Sequence, residues 1–579
     1  MSNLTACPLD CYDGCEIVYE DTKIKPCSSG HTKGFLCTHM YRYEEYESIK
    51  KPRYKGKEIT LDEALLILKE MLKSSQKDKI LYYKGSGNFA LMQDVVGHFF
   101  ASFGATLTNG SLCDGAGEAG IIEGRGSNKN MSLQEIEKSD VVIFWGRDPH
   151  VTSSHILPLI KDKTIIVIDP IKTKIAKMAD IFVQIKPHSD IYLAMLLSRF
   201  LFVQYGVDEE YLENYASEFE DFYELTQTIR IKSVLENIDV SLGDIGNILD
   251  AVVGKKVALV CGVGIQKYRD GADVIRAIDA FGVLLGLFGK EGSGVSYLGN
   301  SKQNIPTPFN DKAKRVSKVD TEFSNYDTVF IQGANPLSQM PDSLRVKDSM
   351  SKVKNIVYFG LYENQTSQVA HLVIPAKSFL YKEDIRTSYS HNGMMFMNKI
   401  KDCEYGISEY DLARFFCDEF DIKLESEKFY VEYFKSFAYQ NEDGIWQVKD
   451  REDVPYKDGF DTDDGEFVFL EEFESKSKDD ENNFFLVTPK NTTSLNSQFK
   501  TKECVYLHPS LGYAQNQNIK ISSTCGSVVL SVCLDSDVRK DTVLIYSGTE
   551  GVNNLTSSKH SFEGRSAIYQ EEKVFLDII

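Results

Sequence analysis

Cys7-Pro8-Leu9-Asp10-Cys11-Tyr12-Asp13-Gly14-Cys15 sets three thiols in one run, with three residues between successive members, and Gly34-Phe35-Leu36-Cys37 supplies a fourth. Four thiolates suit a tetrahedral zinc ion or a cubane iron–sulfur cluster. Structural zinc usually takes its ligands in two close pairs. Here three ligands fall together and one stands alone, an asymmetry that favours a 4Fe-4S cluster on Cys7, Cys11, Cys15 and Cys37. Cys27, beside Pro26 in a polar loop, reads as a free thiol. Five of the chain's twelve cysteines lie in its first 37 residues. In a reducing compartment such clustering points to metal binding more than to disulfides.

Outward from this run, the 579 residues are 26% charged and 42% hydrophobic, a globular balance that excludes a disordered or collagen-like chain. The 85 acidic and 65 basic residues leave a formal charge of −20, which repels nucleic-acid backbones and anionic lipid. The start, Met1 to Cys7, has no basic or apolar leader and no twin arginine, so a cytoplasmic location is expected. The most apolar segment, Ala280 to Phe288, is too short to span a bilayer, so no direct membrane insertion is expected.

Apolar runs that end in glycine or aspartate recur along the middle of the chain. They are Ile80 to Tyr83, Val141 to Trp145, Thr164 to Ile168, Val257 to Cys261, Thr328 to Ile331 and Asn355 to Phe359. Phe89 to Phe103 and Asp273 to Leu285 carry helical spacing of apolar positions between them. Alternating strands and helices predict parallel sheets in doubly wound domains. Trp145-Gly146-Arg147-Asp148-Pro149 is echoed by Gln332-Gly333-Ala334-Asn335-Pro336, and Asp169 and Gly360 each precede an alanine by ten residues. A duplicated nucleotide-binding unit explains the echo. A glycine at a strand end lets backbone approach a phosphate, and an aspartate at the next strand end accepts from sugar or base. Nearer the C terminus, short runs at Phe484 to Thr488, Val505 to His508, Ile519 to Ser522, Val528 to Leu534 and Thr542 to Tyr546 predict a small β-barrel. The intervening acidic stretch 441–482 reads as a linker or surface excursion.

The cysteine run, Gly34-Phe35-Leu36-Cys37, Thr60-Leu61-Asp62-Glu63-Ala64, the duplicated turns, His508-Pro509 and Val552-Asn553-Asn554-Leu555-Thr556 together resemble the molybdopterin oxidoreductase family. That family includes formate dehydrogenases and the nitrate, dimethyl sulfoxide and polysulfide reductases. The resemblance implies one 4Fe-4S cluster and a molybdenum or tungsten ion held as a bis(molybdopterin guanine dinucleotide). It also implies an α/β architecture in five parts. These are a cluster domain at 1–55, a discontinuous α/β domain at 56–135 plus 300–440, and an inserted α/β nucleotide-binding domain at 136–299. The acidic linker 441–482 and a barrel at 483–579 follow. Cofactor contacts carried over are Asn88, Asn109, Gly146, Asp148, Asp169, Thr173, Ser189, Asp190, Gln266, Asn335, Lys382 and Asn553. His39, two residues after Cys37, stands where many relatives have a lysine between cluster and pterin. Asp148, Gly360 and Ser189 also depart from the commoner pattern.

The resemblance places the metal's protein ligand in Asn109-Gly110-Ser111-Leu112-Cys113-Asp114-Gly115-Ala116-Gly117-Glu118-Ala119-Gly120. Cys113 is the leading candidate, since a thiolate is the softest ligand available there. Asp114 and Ser111 are the alternatives, and a small buried hydrophobe is the bland reading of Cys113. Asp114 and Glu118 offer either a proton acceptor near the metal or the acidic first turn of a helix. Formate dehydrogenases usually have histidine after the ligand, so Asp114 weighs against that substrate. The function implied is two-electron exchange between a small molecule and a separate iron–sulfur or flavin electron-carrier subunit. The carrier is needed because the chain has no second cysteine set. The alternative is a non-catalytic relay or scaffold subunit that keeps the cluster and fold without the metal.

Overall fold

The computed structural model describes residues 3–85, 90–216, 219–473, 483–499 and 502–579. Two parallel sheets form its centre. In the first, five strands run in the order Ile181–Val183, Thr164–Ile168, Val141–Trp145, Val257–Cys261 and Gly294–Ser296, every pairing parallel. All five side chains of Val141–Trp145 are buried, which is why this run is apolar throughout: helices cover both faces of a parallel sheet. The second sheet orders Arg315–Ser317, Thr106–Asn109, Ile80–Lys84, Thr328–Gln332, Asn355–Gly360 and Leu372–Pro375 in parallel. The short strands Arg53–Tyr54 and Lys57–Glu58 extend it antiparallel at one edge.

Local chemistry sets several boundaries. Helix Leu61–Ser74 starts on a capping box: Thr60 Oγ1 accepts from the Glu63 amide at 3.2 Å, and Glu63 Oε2 accepts from the Thr60 amide at 2.7 Å. Gly146 and Gly333 end the two echoed strands with φ of +63° and +53°, so the repeat in sequence is a repeat of backbone geometry. Packing also demands glycine here. A Cβ on Gly262 would meet the Gly146 carbonyl oxygen at 1.7 Å, and one on Gly85 would meet that of Gly333 at 2.3 Å.

The C-terminal strands close into a six-stranded barrel, ordered Phe484–Val487, Thr542–Leu544, Cys504–Leu507, Ser527–Leu534, Asn518–Ser522 and Lys573–Ile578. The closing strand was not expected from sequence, because its end is exposed and its apolar residues do not alternate cleanly. At the other terminus, Leu4–Ala6, Glu16–Glu20 and Lys23–Pro26 form an antiparallel sheet that carries the cysteine run between its first two strands.

The acidic stretch differs from expectation. Its described residues, 441–473, are packed: Tyr456, Phe460, Phe467, Phe469 and Leu470 enter the core of the five-stranded unit. Tyr456 Oη donates to the Ser127 carbonyl at 2.6 Å, and Arg276 donates to the Phe469 carbonyl at 2.7 Å. These rings follow neither strand nor helix periodicity, so charge dominated the sequence reading. Beneath them Arg125 and Asp279, both fully buried, form a two-point ion pair, and the guanidinium carbon lies 4.6 Å from the Phe288 ring centre.

Candidate metal and cofactor site

One cavity of about 990 Å³ lies where the C-terminal strand ends of both sheets, the cysteine run and the barrel meet. Strand ends are where parallel α/β sheets bind ligands, because the turns beyond them present free backbone groups. Its wall includes Gly146, Asp148, Asp169, Thr173 and Asp190 from the first sheet. Asn335, Lys382 and Asn553 line it from the second sheet and the barrel.

Several of these polar side chains are already engaged. Asp148 accepts from the His150 amide at 3.0 Å and the Lys174 amide at 3.2 Å, so it shapes its turn. Asp190 accepts from the Trp145 indole at 2.7 Å. Asn335 Oδ1 accepts from Thr366 Oγ1 at 2.8 Å, Lys382 pairs with Glu409, and Asn553 donates to the Ser338 carbonyl at 2.7 Å. Asp169 accepts from the Ile171 amide at 2.8 Å, yet burial pushes its carboxyl up to about 8, with Asp148 and Asp190 adding to the shift.

Four expected contacts stand elsewhere among the described residues. Ser189 is buried outside the wall, and Asn109 is next to it with an unpartnered Oδ1. Gln266 braces the Cys113 loop: Nε2 donates to the Cys113 carbonyl at 2.7 Å, and Oε1 accepts from the Gly117 amide at 3.1 Å. His39 is buried with Nε2 3.2 Å from the Ser494 carbonyl oxygen, and it is not on the wall. Asn88 lies outside the described residues.

Cys113 and Asp114 do line the cavity, at the start of helix Gly115–Arg125. Asp114 is the N-cap residue and Glu118 sits in the first turn, the arrangement that suits the positive helix end. Ser111 ties the loop together, since its Oγ accepts from the Cys113 amide at 2.8 Å and donates to Asp114 Oδ1 at 2.9 Å. Lys267 donates to the Leu112 carbonyl at 2.8 Å and to that of Cys113. Burial pushes the Cys113 thiol up to about 12, with Asp114 adding and Lys267 and Lys490 opposing. Burial likewise brings the Lys267 ammonium down to about 8. A metal ion in this loop would supply the charge that keeps the thiol ionised.

Cys11 lines the same cavity from the cysteine run. Burial is the main cause that raises the Cys7, Cys11 and Cys15 thiols, Cys7 to about 12, and the charge of Cys37 adds to each. The four thiols are therefore close enough to feel one another. Cys27 Sγ instead sits 3.9 Å from Ser29 Oγ.

Sequence reasoning named Lys382 but missed other cations of this cavity. Lys490, from the barrel, lies 3.9 Å from Asp10 Oδ2 and within the charge field of Cys11 and Cys113. Lys318 lines the wall beside Tyr83, and burial lowers its ammonium to about 8. The cavity residues fit a large polar cofactor. Lys267, Lys318 and Lys490 line the cavity wall, and a polar anionic occupant would meet their ammonium groups.

Residues 48–405 match the family model for the molybdopterin oxidoreductase domain. The chain belongs to the molybdopterin oxidoreductase family. Membership implies a molybdenum or tungsten pterin cofactor, for which the cavity is the matching space. Among curated relatives, the probable oxidoreductase YyaE of Bacillus subtilis is 27% identical over 427 residues, 67% of this chain and 64% of that protein. The F420-dependent formate dehydrogenase subunit alpha of Methanocaldococcus jannaschii is 23% identical over 438 residues, 65% and 62% of the two chains. Formate dehydrogenase H of Escherichia coli is 21% identical over 468 residues, 69% and 65%. The matched part of the chain thus spans under two thirds of each relative's length. Acetylene hydratase from Pelobacter acetylenicus shares the fold over 100% of both chains, with a TM-score of 0.77 at 14% identity.

Proposed function

We propose that this member of the family is a molybdenum- or tungsten-dependent oxidoreductase that exchanges two electrons with a small molecule at Cys113. Cys7, Cys11, Cys15 and Cys37 would hold a 4Fe-4S cluster, which would pass electrons singly between that site and a separate iron–sulfur or flavin subunit. The observation that carries this reading is that a single cavity is lined by Cys113, by Cys11 and by the turns of both echoed strands. When bound, the pterin-held metal supplies the two-electron chemistry.

The chain's own residues do the rest. Gly146 with Asp148 and Gly333 with Asn335 would each hold one guanine dinucleotide, with Asp169, Thr173 and Asp190 completing the first half. Lys382 and Asn553 would close the second half. Cys113 would be the protein ligand, held by Gln266 and Lys267 through its carbonyl. Asp114, kept in place by Ser111, would exchange a proton with substrate beside it. Lys490, 3.9 Å from Asp10 Oδ2 and within the charge field of Cys11 and Cys113, would be a second candidate beside His39 for the position between cluster and metal. Asp114 in place of histidine keeps formate the less favoured substrate, although two of the relatives above are named for it. No helix among the described residues is long and apolar enough to cross a membrane. A relay or scaffold role would not call for Cys113 on the wall of a cavity of about 990 Å³.

Elemental analysis of anaerobically purified protein should find molybdenum or tungsten. Cys113→Ala should keep near-normal metal, lose turnover and show one fewer sulfur neighbour in X-ray absorption at the metal edge. Iron without either metal would favour the relay reading. An unchanged sulfur count would move the ligand to Asp114 or Ser111.

A further inference from the structure

Three buried groups from distant parts of the chain meet behind the cysteine run. His155 Nδ1 lies 3.0 Å from Asp13 Oδ2 and 3.5 Å from Cys15 Sγ, across 142 and 140 residues of sequence. The His155 amide donates to the same Asp13 oxygen at 3.0 Å. Phe35 stacks on the imidazole with ring centres 4.4 Å apart and planes at 18°, so the ring is clamped on a face as well as an edge. The turn beneath is fixed too. Ser388 Oγ donates to the Asp13 carbonyl at 2.9 Å, and Gly14 has φ of +55° with the Ser388 backbone against it.

We propose that His155 is a positioning residue that raises the reduction potential of the cluster by sharing its Nδ1 proton between the Asp13 carboxylate and the Cys15 sulfur. This rests on the cluster reading given above. A carboxylate and a metal-bound thiolate are both acceptors, so the nitrogen facing them carries the proton. Nε2 is then the bare nitrogen, and it is buried with no hydrogen-bond partner among the described residues. A donor directed at a cluster sulfur draws electron density from it and favours the reduced state, whereas a nearby anion favours the oxidised state. Asp13 is such an anion. Its ligand oxygen, Cys15 Sγ and the His155 ring nitrogen all lie within 4.8 Å of one another, so its charge stands where an added electron would meet it. His155 and Asp13 therefore act on the potential with opposite signs, and His155 holds both the carboxylate and the sulfur. It reaches the cluster from the short helix Ser154–Ile160 of the five-stranded unit, so cluster and cofactor-binding unit are tied at one ring.

The test uses the whole chain purified without oxygen, with iron and acid-labile sulfide counted before a redox titration followed by electron paramagnetic resonance. His155→Phe should keep about four irons and shift the reduction equilibrium roughly tenfold toward the oxidised form, about 59 mV for one electron. Asp13→Asn should shift it the other way. His155→Gln, which retains an N–H donor, should recover part of the loss. Potentials that change less than about twofold in the equilibrium in His155→Phe and Asp13→Asn would overturn the role while leaving the cluster intact. Loss of iron from both His155→Phe and His155→Gln would reduce His155 to a structural part and overturn it as well. The ligand atoms of Asp13, Cys15 and His155 all lie within 4.8 Å of one another, so the same three groups could instead hold one metal ion. A parent chain with one zinc and no sulfide would show that, and would overturn the cluster itself.

Discussion

Replacing Asp169 by asparagine should stabilise the cofactor-free chain at pH 8, leave it unchanged near pH 4, and weaken its hold on a guanine nucleotide. The carboxyl is 7% exposed and sits near Asp148 and Asp190, and burial raises it from 3.8 to about 8. Since the folded value lies above the unfolded one, the native state keeps this proton to higher pH. Its contribution to stability is fully present below about pH 4 and is lost as pH rises to about 8. At 1.36 kcal/mol per unit, keeping the folded carboxyl protonated at pH 7, where the unfolded one is ionised, costs about 4 kcal/mol. That is a ceiling, because the cavity admits water and the effective dielectric there is nearer 20 than 4. Asparagine keeps the Oδ1 that accepts from the Ile171 amide, so the turn should survive. The assay is hydrogen exchange of the strand Thr164–Ile168 at pH 4.5 and 8, which reads opening locally in a multidomain chain. A guanosine diphosphate titration at pH 8 reads the nucleotide side. The expected pattern is protection gained only at the higher pH, with affinity lost tenfold or more. Equal protection of parent and variant at both pH values would refute the buried-acid argument, and unchanged affinity would remove Asp169 from the nucleotide site.

Cys11→Ser should lose or convert the cluster while Cys27→Ser leaves about four irons and four sulfides per chain, and the reverse pattern would show that the ligand set is wrong. Acid release followed by chromatography should give two GMP equivalents per metal if the echoed turns at Gly146 and Gly333 each hold one dinucleotide. A single equivalent, or AMP in its place, would contradict the two-half reading. Arg125→Met should cost about 3–5 kcal/mol, measured by denaturant unfolding of the five-stranded unit, because it strands the buried Asp279 carboxylate. The double variant Arg125→Met with Asp279→Leu should recover most of that loss.

The parts of this molecule that were legible in sequence are those decided within a few residues. Val141–Trp145 and Val257–Cys261 are apolar throughout, and Thr164–Ile168 is so after its threonine, because both faces of a parallel strand are covered, and the structure ends them where the runs end. The echo of Gly146 and Gly333 was readable because a left-handed turn at a strand end selects glycine wherever it recurs. Three thiols in one nine-residue run make a candidate metal site readable through spacing alone. What only the tertiary structure decided is every partnership between distant segments. Lys490 meets Asp10, His155 meets Asp13 and Cys15, and Gln266 and Lys267 meet the Cys113 loop, and no periodicity couples such positions. The aromatic residues of the acidic stretch enter a core because a surface 150 or more residues away in sequence offers them one. A single sequence carries its local rules openly, but the burial and charge that set a carboxyl such as Asp169 exist only once the strands have met.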